Sequence, residues 1–396
     1  MVKEFSLASM PQLHFGAGMI SVLPTAAKNF GGRVLLITGA HSFISSEHGQ
    51  NLLEEFRASN ILVEQFSIAK EPSPDMIDAA VKEFSDEQPD CVIAVGGGSA
   101  LDGGKAISAM LPLGRPVKDY LEGVGKVPAH PGVKVPFIAV PTTSGTGSEA
   151  TKNAVISEIG EAGYKRSLRH NNFVPDLAIV DPVLTLSCPS ATTAASGMDA
   201  FTQLLESYVS TASNPMTDAL AVEGLKCVAG ALANVYRDGA NLEARTDMAL
   251  ASYLSGITLA NAGLGLVHGF ASPIGGYFEI PHGVICSTLM GPVNRITVRK
   301  LRVRKNHPEA LKKYATVGKI FSQEGRRPDD YYIDSLLSTI ESWSKEMNIP
   351  SLSRYGIKRD HFNKIVEGTG NKNNPIALEH DEMVEVLEAA FTHPES

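Results

Sequence analysis

Four side chains in two separated segments carry the clearest chemistry in this sequence. Asp199 and Gln203 lie in GMDAFTQLLESYVS (197–210), and His268 and His282 lie in GLGLVHGFASPIGGYFEIPHG (263–283). Residues four apart on a helix share one face, so Asp199 and Gln203 can point the same way. The two histidines arrive from a later stretch that is expected to bend at its Gly-Gly pair, Gly275 and Gly276. A carboxylate with imidazoles can hold a divalent cation, and a site with one open position can polarise an alcohol or carbonyl oxygen. Gln203 is the weak member, because a neutral amide is a poorer ligand than an imidazole. Each residue also has an ordinary role available: Asp199 can cap a helix, Gln203 can be a buried hydrogen-bonding amide, and a lone histidine is commonly structural. Cys286 falls one turn after His282 if that segment is helical, which makes it a remote substitute ligand.

The elements that must position these groups can be read from periodicity. Between about residues 33 and 181, short β-branched apolar runs (34–38, 62–66, 91–95, 135–140 and 177–180) alternate with helical patterns such as 48–59 and 74–84. That alternation predicts an α/β domain with a mostly parallel sheet and helices on its faces. After Pro182, Ala-rich helical stretches such as 216–235 and 242–262 dominate and strand-like runs nearly vanish, which predicts an all-α domain. Cys188-Pro189 interrupts both patterns. The expected domains are therefore 1–187 and 188–396, with Ser190 or Thr192 capping the next helix.

A second kind of chemistry sits in the first of these domains. The buried-strand pattern CVIAV (91–95) runs straight into GGGSALDGGKAIS (96–108), where a helical pattern resumes. Strand, glycines and helix in that order form a phosphate cradle. Gly96, Gly97 and Gly98 allow close backbone approach, while Ser99 and the first free helix amides can donate to an anion that the helix dipole favours. The spacing differs from GxGxxG, and a tight strand-to-helix turn is the plain alternative. A further segment, PTTSGTGSE (141–149), also follows a strand. Its Thr142, Thr143, Ser144 and Thr146 hydroxyls can complete a pyrophosphate site.

Composition narrows the partners. The chain has 396 residues, 43% hydrophobic and 20% charged, with no apolar run of the roughly 18 residues a membrane span needs. A net charge of −8 without a dense basic cluster argues against nucleic acid. The one basic run, 295–305, reads as a solvated or subunit-facing surface. Cys91, Cys188, Cys227 and Cys286 are scattered without CxxC spacing, and the N-terminus lacks a secretory pattern, so a cytoplasmic location is expected.

FGAG (15–18), GGGSALDGGKA, PTTSGTGSE, the 197–210 segment, GLGLVHG, IPHG and a late Asn374-Pro375 together resemble the iron-containing, group III alcohol dehydrogenase family. That family lies within the dehydroquinate synthase-like superfamily, and the resemblance covers nearly the whole chain. It implies an N-terminal NAD(P)-binding domain, a helical metal-binding domain, a small alcohol or aldehyde substrate, and a homodimer or higher homo-oligomer. By matching positions, Gly97, Gly98 and Ser99 would hold pyrophosphate, and Thr142, Thr143, Thr146, Asn153 and Lys165 would line the rest of the cofactor site. Gly39 stands where several NAD-preferring relatives carry an acidic residue that repels a 2′-phosphate. With His41 nearby in TGAHS (38–42), this points to NADP, or to both cofactors.

The family's metal positions map to Asp199, Gln203, His268 and His282, a set suited to Fe(II), Zn(II) or Mn(II). Two usual histidines are replaced, by Gln203 and by Ser272, so weaker affinity is expected. With metal, the resemblance implies an NAD(P)-dependent alcohol dehydrogenase or aldehyde reductase; Ser272, where the family has a histidine, can relay a proton there but is too weak an acid to act alone. Without metal, His268 or His282 can be the general acid of a reductase acting on an anionic carbonyl, similar to maleylacetate reductase. A catalytically silent cofactor-binding protein is the third alternative.

Overall fold

The structure is a computed structural model that describes residues 4–40, 42–322 and 324–391, so His41 lies outside the described residues. It falls into two compact units. One comprises Ala8–Glu158 and Lys165–Cys188; the other comprises the described residues of Met1–Leu7, Ile159–Tyr164 and Pro189–Ser396.

The first unit is α/β. Its elements in chain order are β1 (Gln12–Phe15), α1 (Leu23–Lys28), β2 (Arg33–Thr38), α2 (Glu47–Ala58), β3 (Leu62–Ser67), α3 (Pro74–Phe84), β4 (Cys91–Gly96), α4 (Gly98–Met110), β5 (Phe137–Pro141), β6 (Asn153–Glu158), β7 (Tyr164–Arg169) and β8 (Leu177–Val180). Six strands form one sheet in the order β1-β8-β5-β4-β2-β3, with every pair parallel. β4, β5 and β8 are buried at every residue, which is why they read as continuous apolar runs. Thr38 pairs with Val95, and Gly96 pairs with Pro141, so the carboxyl ends of β2, β4 and β5 lie level. The chain order reverses between β2 and β4, and ligands of open parallel sheets bind outside such a point. Three strands were not legible. β1 has only four residues, and β6 and β7 form a separate two-stranded sheet in which YKRSLR is mostly polar. β5 also starts later than expected, after Pro136, which has no amide to give a ladder.

The second unit is helical: α5 (Ser190–Val209), α6 (Pro215–Arg237), α7 (Leu242–Ala262), α8 (Leu266–Tyr277), α9 (His282–Arg304), α10 (Pro308–Phe321), α11 (Asp329–Glu346), α12 (Phe362–Glu367) and α13 (His380–Phe391). α5 is buried from Gly197 to Val209, so it is a core helix without a solvent face along that length. A Cβ on Gly197 would come within 2.3 Å of Leu232 Cδ1, so glycine sets how closely α5 and α6 pack.

Several expectations need correction. Pro189 occupies the α5 N-cap without a side-chain cap, so neither Ser190 nor Thr192 serves there. Gly275 and Gly276 lie inside α8 and do not make a bend. The turn falls earlier, at Gly263 with φ 69°, and sets α7 and α8 at 97° to each other. Gly276 is small for another reason: a Cβ there would meet the Tyr164 backbone at 2.8 Å. The basic run lies on α9 with partly exposed side chains, which agrees with a solvated surface, and its ion pairs fall within its own unit. Arg299 meets Glu385, Arg304 meets Glu382 at 2.9 Å, and Arg302 meets Asp334 at 2.8 Å. By length and composition α6 could cross a membrane, yet its Ala221, Leu225, Val228 and Leu232 are buried in the helical core.

Candidate functional site

In the helical unit, three helices converge on one cluster. α5 supplies Asp199, α8 supplies His268, and α9 supplies His282 and Cys286 one turn apart on the same face. One donor atom from each of these four residues lies within 4.8 Å of the others. Asp199 Oδ1 is 3.4 Å from His268 Nε2 and 3.9 Å from His282 Nε2. Cys286 Sγ is 3.7 Å from His268 Nε2 and 3.6 Å from His282 Nε2.

Asp199 is 1% exposed, and among the described residues neither carboxylate oxygen receives a hydrogen bond of regular geometry, although His268 Nε2 stands at ion-pair distance from Oδ1. A buried carboxylate left in that state costs several kcal/mol, and a cation among these donors would relieve the cost. Burial works against its charge, yet His282 and His268 hold the Asp199 carboxyl below its usual range. Burial likewise opposes a charged His268, but Cys286, Asp199 and Glu206 together raise it well above the ordinary imidazole value. Burial, reinforced by Asp199, pushes the Cys286 thiol up to about 12. The donor set, a carboxylate with two imidazoles, fits a divalent cation. His282, with its side chain 25% exposed, is the member that reaches toward solvent.

Glu206 was not singled out from the sequence. It accepts from His268 Nδ1 at 2.7 Å through Oε2, and from the Val267 amide at 2.7 Å through Oε1. That pairing leaves His268 Nε2 aimed at the cluster, the usual way a carboxylate orients a metal-binding imidazole. The signal was present: Asp199, Gln203 and Glu206 follow one another at helical spacing on one face, and Asp199 and Glu206 are the charged residues of the 197–210 segment.

Gln203 is 2% exposed, and its Oε1 accepts from the Ser255 hydroxyl on α7 at 2.6 Å. The Ser272 hydroxyl turns back to the His268 carbonyl of its own helix at 3.3 Å, and Lys372 Nζ reaches the same carbonyl at 2.8 Å. The structure thus brings Asp199, His268, His282 and Cys286 together, and gives Gln203 and Ser272 other partners.

In the α/β unit, the ends of β2, β4 and β5 gather Gly39, Gly97, Gly98, Thr142, Thr143 and Thr146. A Cβ built on Gly96 would lie 3.4 Å from the Gly39 amide, and one on Gly97 would lie 3.5 Å from Thr143 Oγ1. On Gly98 it would come within 2.5 Å of Thr146 Cγ2, so the approach there admits only glycine without a shift. The Thr142 amide donates to the Gly96 carbonyl at 2.9 Å, locking the two loops together. α4 begins at Gly98 with no side-chain cap, so the first-turn amides, Ser99 among them, point to a site for an anion. This strand-end cradle, which a Cβ would fill, suits the pyrophosphate of a dinucleotide. Lys165 is paired with Glu71 at 2.7 Å, and the Asn153 carbonyl accepts from Lys105 Nζ at 2.9 Å.

Lys105 marks a buried polar network beneath the loops. Its Nζ also donates to the Ser148 carbonyl at 2.7 Å and to Thr151 Oγ1 at 3.0 Å, while the Ser148 hydroxyl donates to Asp102 at 2.5 Å. Burial lowers Lys105 to about 8 and raises Glu149 to about 7. Glu149 closes the PTTSGTGSE loop, so this network ties the loop to α4.

The sequence matches the family model of the iron-containing alcohol dehydrogenases over residues 11–182. It also matches the model described as Fe-containing alcohol dehydrogenase family, C-terminal, over residues 193–391. It is 32% identical over 393 residues to alcohol dehydrogenase 4 of Saccharomyces cerevisiae, with 97% of each chain covered. It is 30% identical over 390 residues to the NADPH-dependent butanol dehydrogenase of Clostridium saccharobutylicum, with 96% of each covered. Its fold matches the crystal structure of a 1,3-propanediol oxidoreductase with a TM-score of 0.87 at 29% identity, over 98% of this chain and 100% of that one.

Proposed function

The chain belongs to the iron-containing alcohol dehydrogenase family and is an oxidoreductase acting on CH–OH groups, and from that premise we propose an NADP(H)-using, metal-dependent interconversion of small primary alcohols and aldehydes. The observation that carries the metal dependence is the convergence of the buried Asp199 carboxylate, which receives no hydrogen bond of regular geometry among the described residues, with two imidazoles.

Asp199, His268 and His282 would hold the ion, which supplies Lewis-acid polarisation of the substrate oxygen, while the nicotinamide carries the hydride. Glu206 fixes the orientation of His268 through Nδ1. Burial of Asp199 and His268 keeps bulk water from competing for the charged groups. The Gly97–Gly98 turn and the start of α4 would bind the dinucleotide's pyrophosphate. Ser272, bonded to the His268 carbonyl, is a proton relay only if its hydroxyl turns outward.

The absence of an acidic side chain at Gly39 supports NADP, as does the similarity to an NADPH-dependent butanol dehydrogenase. KM for NADPH and NADH, measured with a series of primary alcohols and aldehydes, tests this reading; a strong preference for NADH overturns the cofactor assignment. One competing reading is a metal-independent reduction of an anionic carbonyl, with His268, set between Glu206 and Asp199, as acid. Turnover that survives exhaustive chelation identifies it. We also propose a cytoplasmic homodimer or higher homo-oligomer, with light scattering as the check on assembly.

A further inference from the structure

We propose that Cys286, and not Gln203, is the fourth protein ligand of this centre, so that a divalent cation is held by Asp199, His268, His282 and the Cys286 thiolate. The inference rests on reading the cluster as a metal site.

Geometry favours the sulfur. A tetrahedral ion with metal–nitrogen bonds of about 2.0–2.1 Å and a metal–sulfur bond of about 2.3 Å sets sulfur about 3.6 Å from each nitrogen. Cys286 Sγ lies 3.7 Å from His268 Nε2 and 3.6 Å from His282 Nε2. The same ion would set a carboxylate oxygen about 3.3 Å from each nitrogen, and Asp199 Oδ1 lies at 3.4 and 3.9 Å. Three of these four edges match a tetrahedral ion, the fourth, from Asp199 to His282, is longer, and all four donors lie within 4.8 Å of one another. Gln203, the alternative fourth member, has its amide oxygen engaged by Ser255. An amide oxygen is also a harder, weaker donor than a thiolate for Zn(II).

A buried cysteine is more often a small apolar side chain in a core, and Cys91 in this chain is one of those, packed with Val34, Leu36 and Ile93 in the sheet core. Cys286 is equally buried, yet its sulfur faces two imidazole nitrogens and a carboxylate. On binding, the S–H bond breaks, the metal–sulfur bond forms, and the proton leaves to solvent, with no change of oxidation state. Two anionic ligands then balance the dication, and the soft sulfur biases the site toward Zn(II) or Co(II) over Mg(II) or Mn(II).

Cobalt tests this directly. Chelator-stripped protein, Cys286→Ser and Gln203→Ala are each titrated with Co(II) and followed by absorption spectroscopy, with circular dichroism checking the fold. The expected result is visible d–d bands in all three, together with a thiolate-to-cobalt charge-transfer band in the near ultraviolet that Cys286→Ser alone lacks. X-ray absorption on the zinc-loaded wild type gives a second measurement that needs no variant, with one sulfur expected at about 2.3 Å. Visible bands without charge transfer, with only nitrogen and oxygen around zinc, overturn the proposal and leave the metal site standing. Failure to bind cobalt at all overturns both.

Discussion

In the α/β unit the anion cradle is made of backbone, with Gly97 and Gly98 turning into the uncapped start of α4 beside Thr143 and Thr146. In the helical unit the cation cluster is made of side chains that three helices bring to one point. A backbone site asks only that no side chain intrude, so it is fixed by glycines next to a strand. A side-chain site depends on the chemistry of each member, so one exchange of imidazole for amide at residue 203 can move the fourth ligand to a different helix.

Substitutions that break one region should spare the other. Asp199→Ala removes the only carboxylate of the cluster, and the expected loss is about 10³-fold or more in kcat/KM, since the ion is worth several kcal/mol to the reaction. Cofactor affinity, measured by fluorescence titration with NADPH, should be unchanged in that variant. Glu206→Gln keeps the shape but weakens the hold on His268, and metal affinity in competition with a chelator should fall about 10- to 100-fold. Gly98→Ala works the other way. Its Cβ would sit 2.5 Å from Thr146 Cγ2, so the KM for the dinucleotide should rise about tenfold, a cost of about 1.4 kcal/mol, with metal content intact.

The smallest effect concerns the network beneath the cofactor loops. Burial raises the Glu149 carboxyl from 4.5 to about 7, so the folded protein binds more protons than the unfolded chain between those values. Its favourable contribution is complete below pH 4.5 and is lost as pH rises through 7. Glu149→Gln should therefore flatten the fall in Tm across that window by about 2–4 °C, followed by calorimetry.

The same contrast explains what could be read from the chain. The parallel sheet, the glycine loop and the helical half were legible because strand burial and glycine placement are local properties. Asp199, His268 and His282 were legible as residue types, but their convergence depends on the turn at Gly263, whereas the Gly-Gly pair that suggests a bend is at 275–276, inside α8. Glu206 was passed over, although it lies seven residues after Asp199 on a buried helix. Cys286 stood only as a remote ligand, because its distance from His268 is set by packing of α8 against α9, which no local pattern reports. β1 at the sheet's edge and the separate β6–β7 pair were missed because short, polar-rich strands lack the apolar run that marks a central one.

The central claim is that the helical unit holds a functional metal ion despite Gln203. Elemental mass spectrometry of protein purified without chelator, expressed per chain, tests it most directly. The account predicts about one transition-metal ion per chain, Zn or Fe before Mn, falling to background in Asp199→Ala. A value near zero in the wild type, unchanged after incubation with those ions, would contradict it.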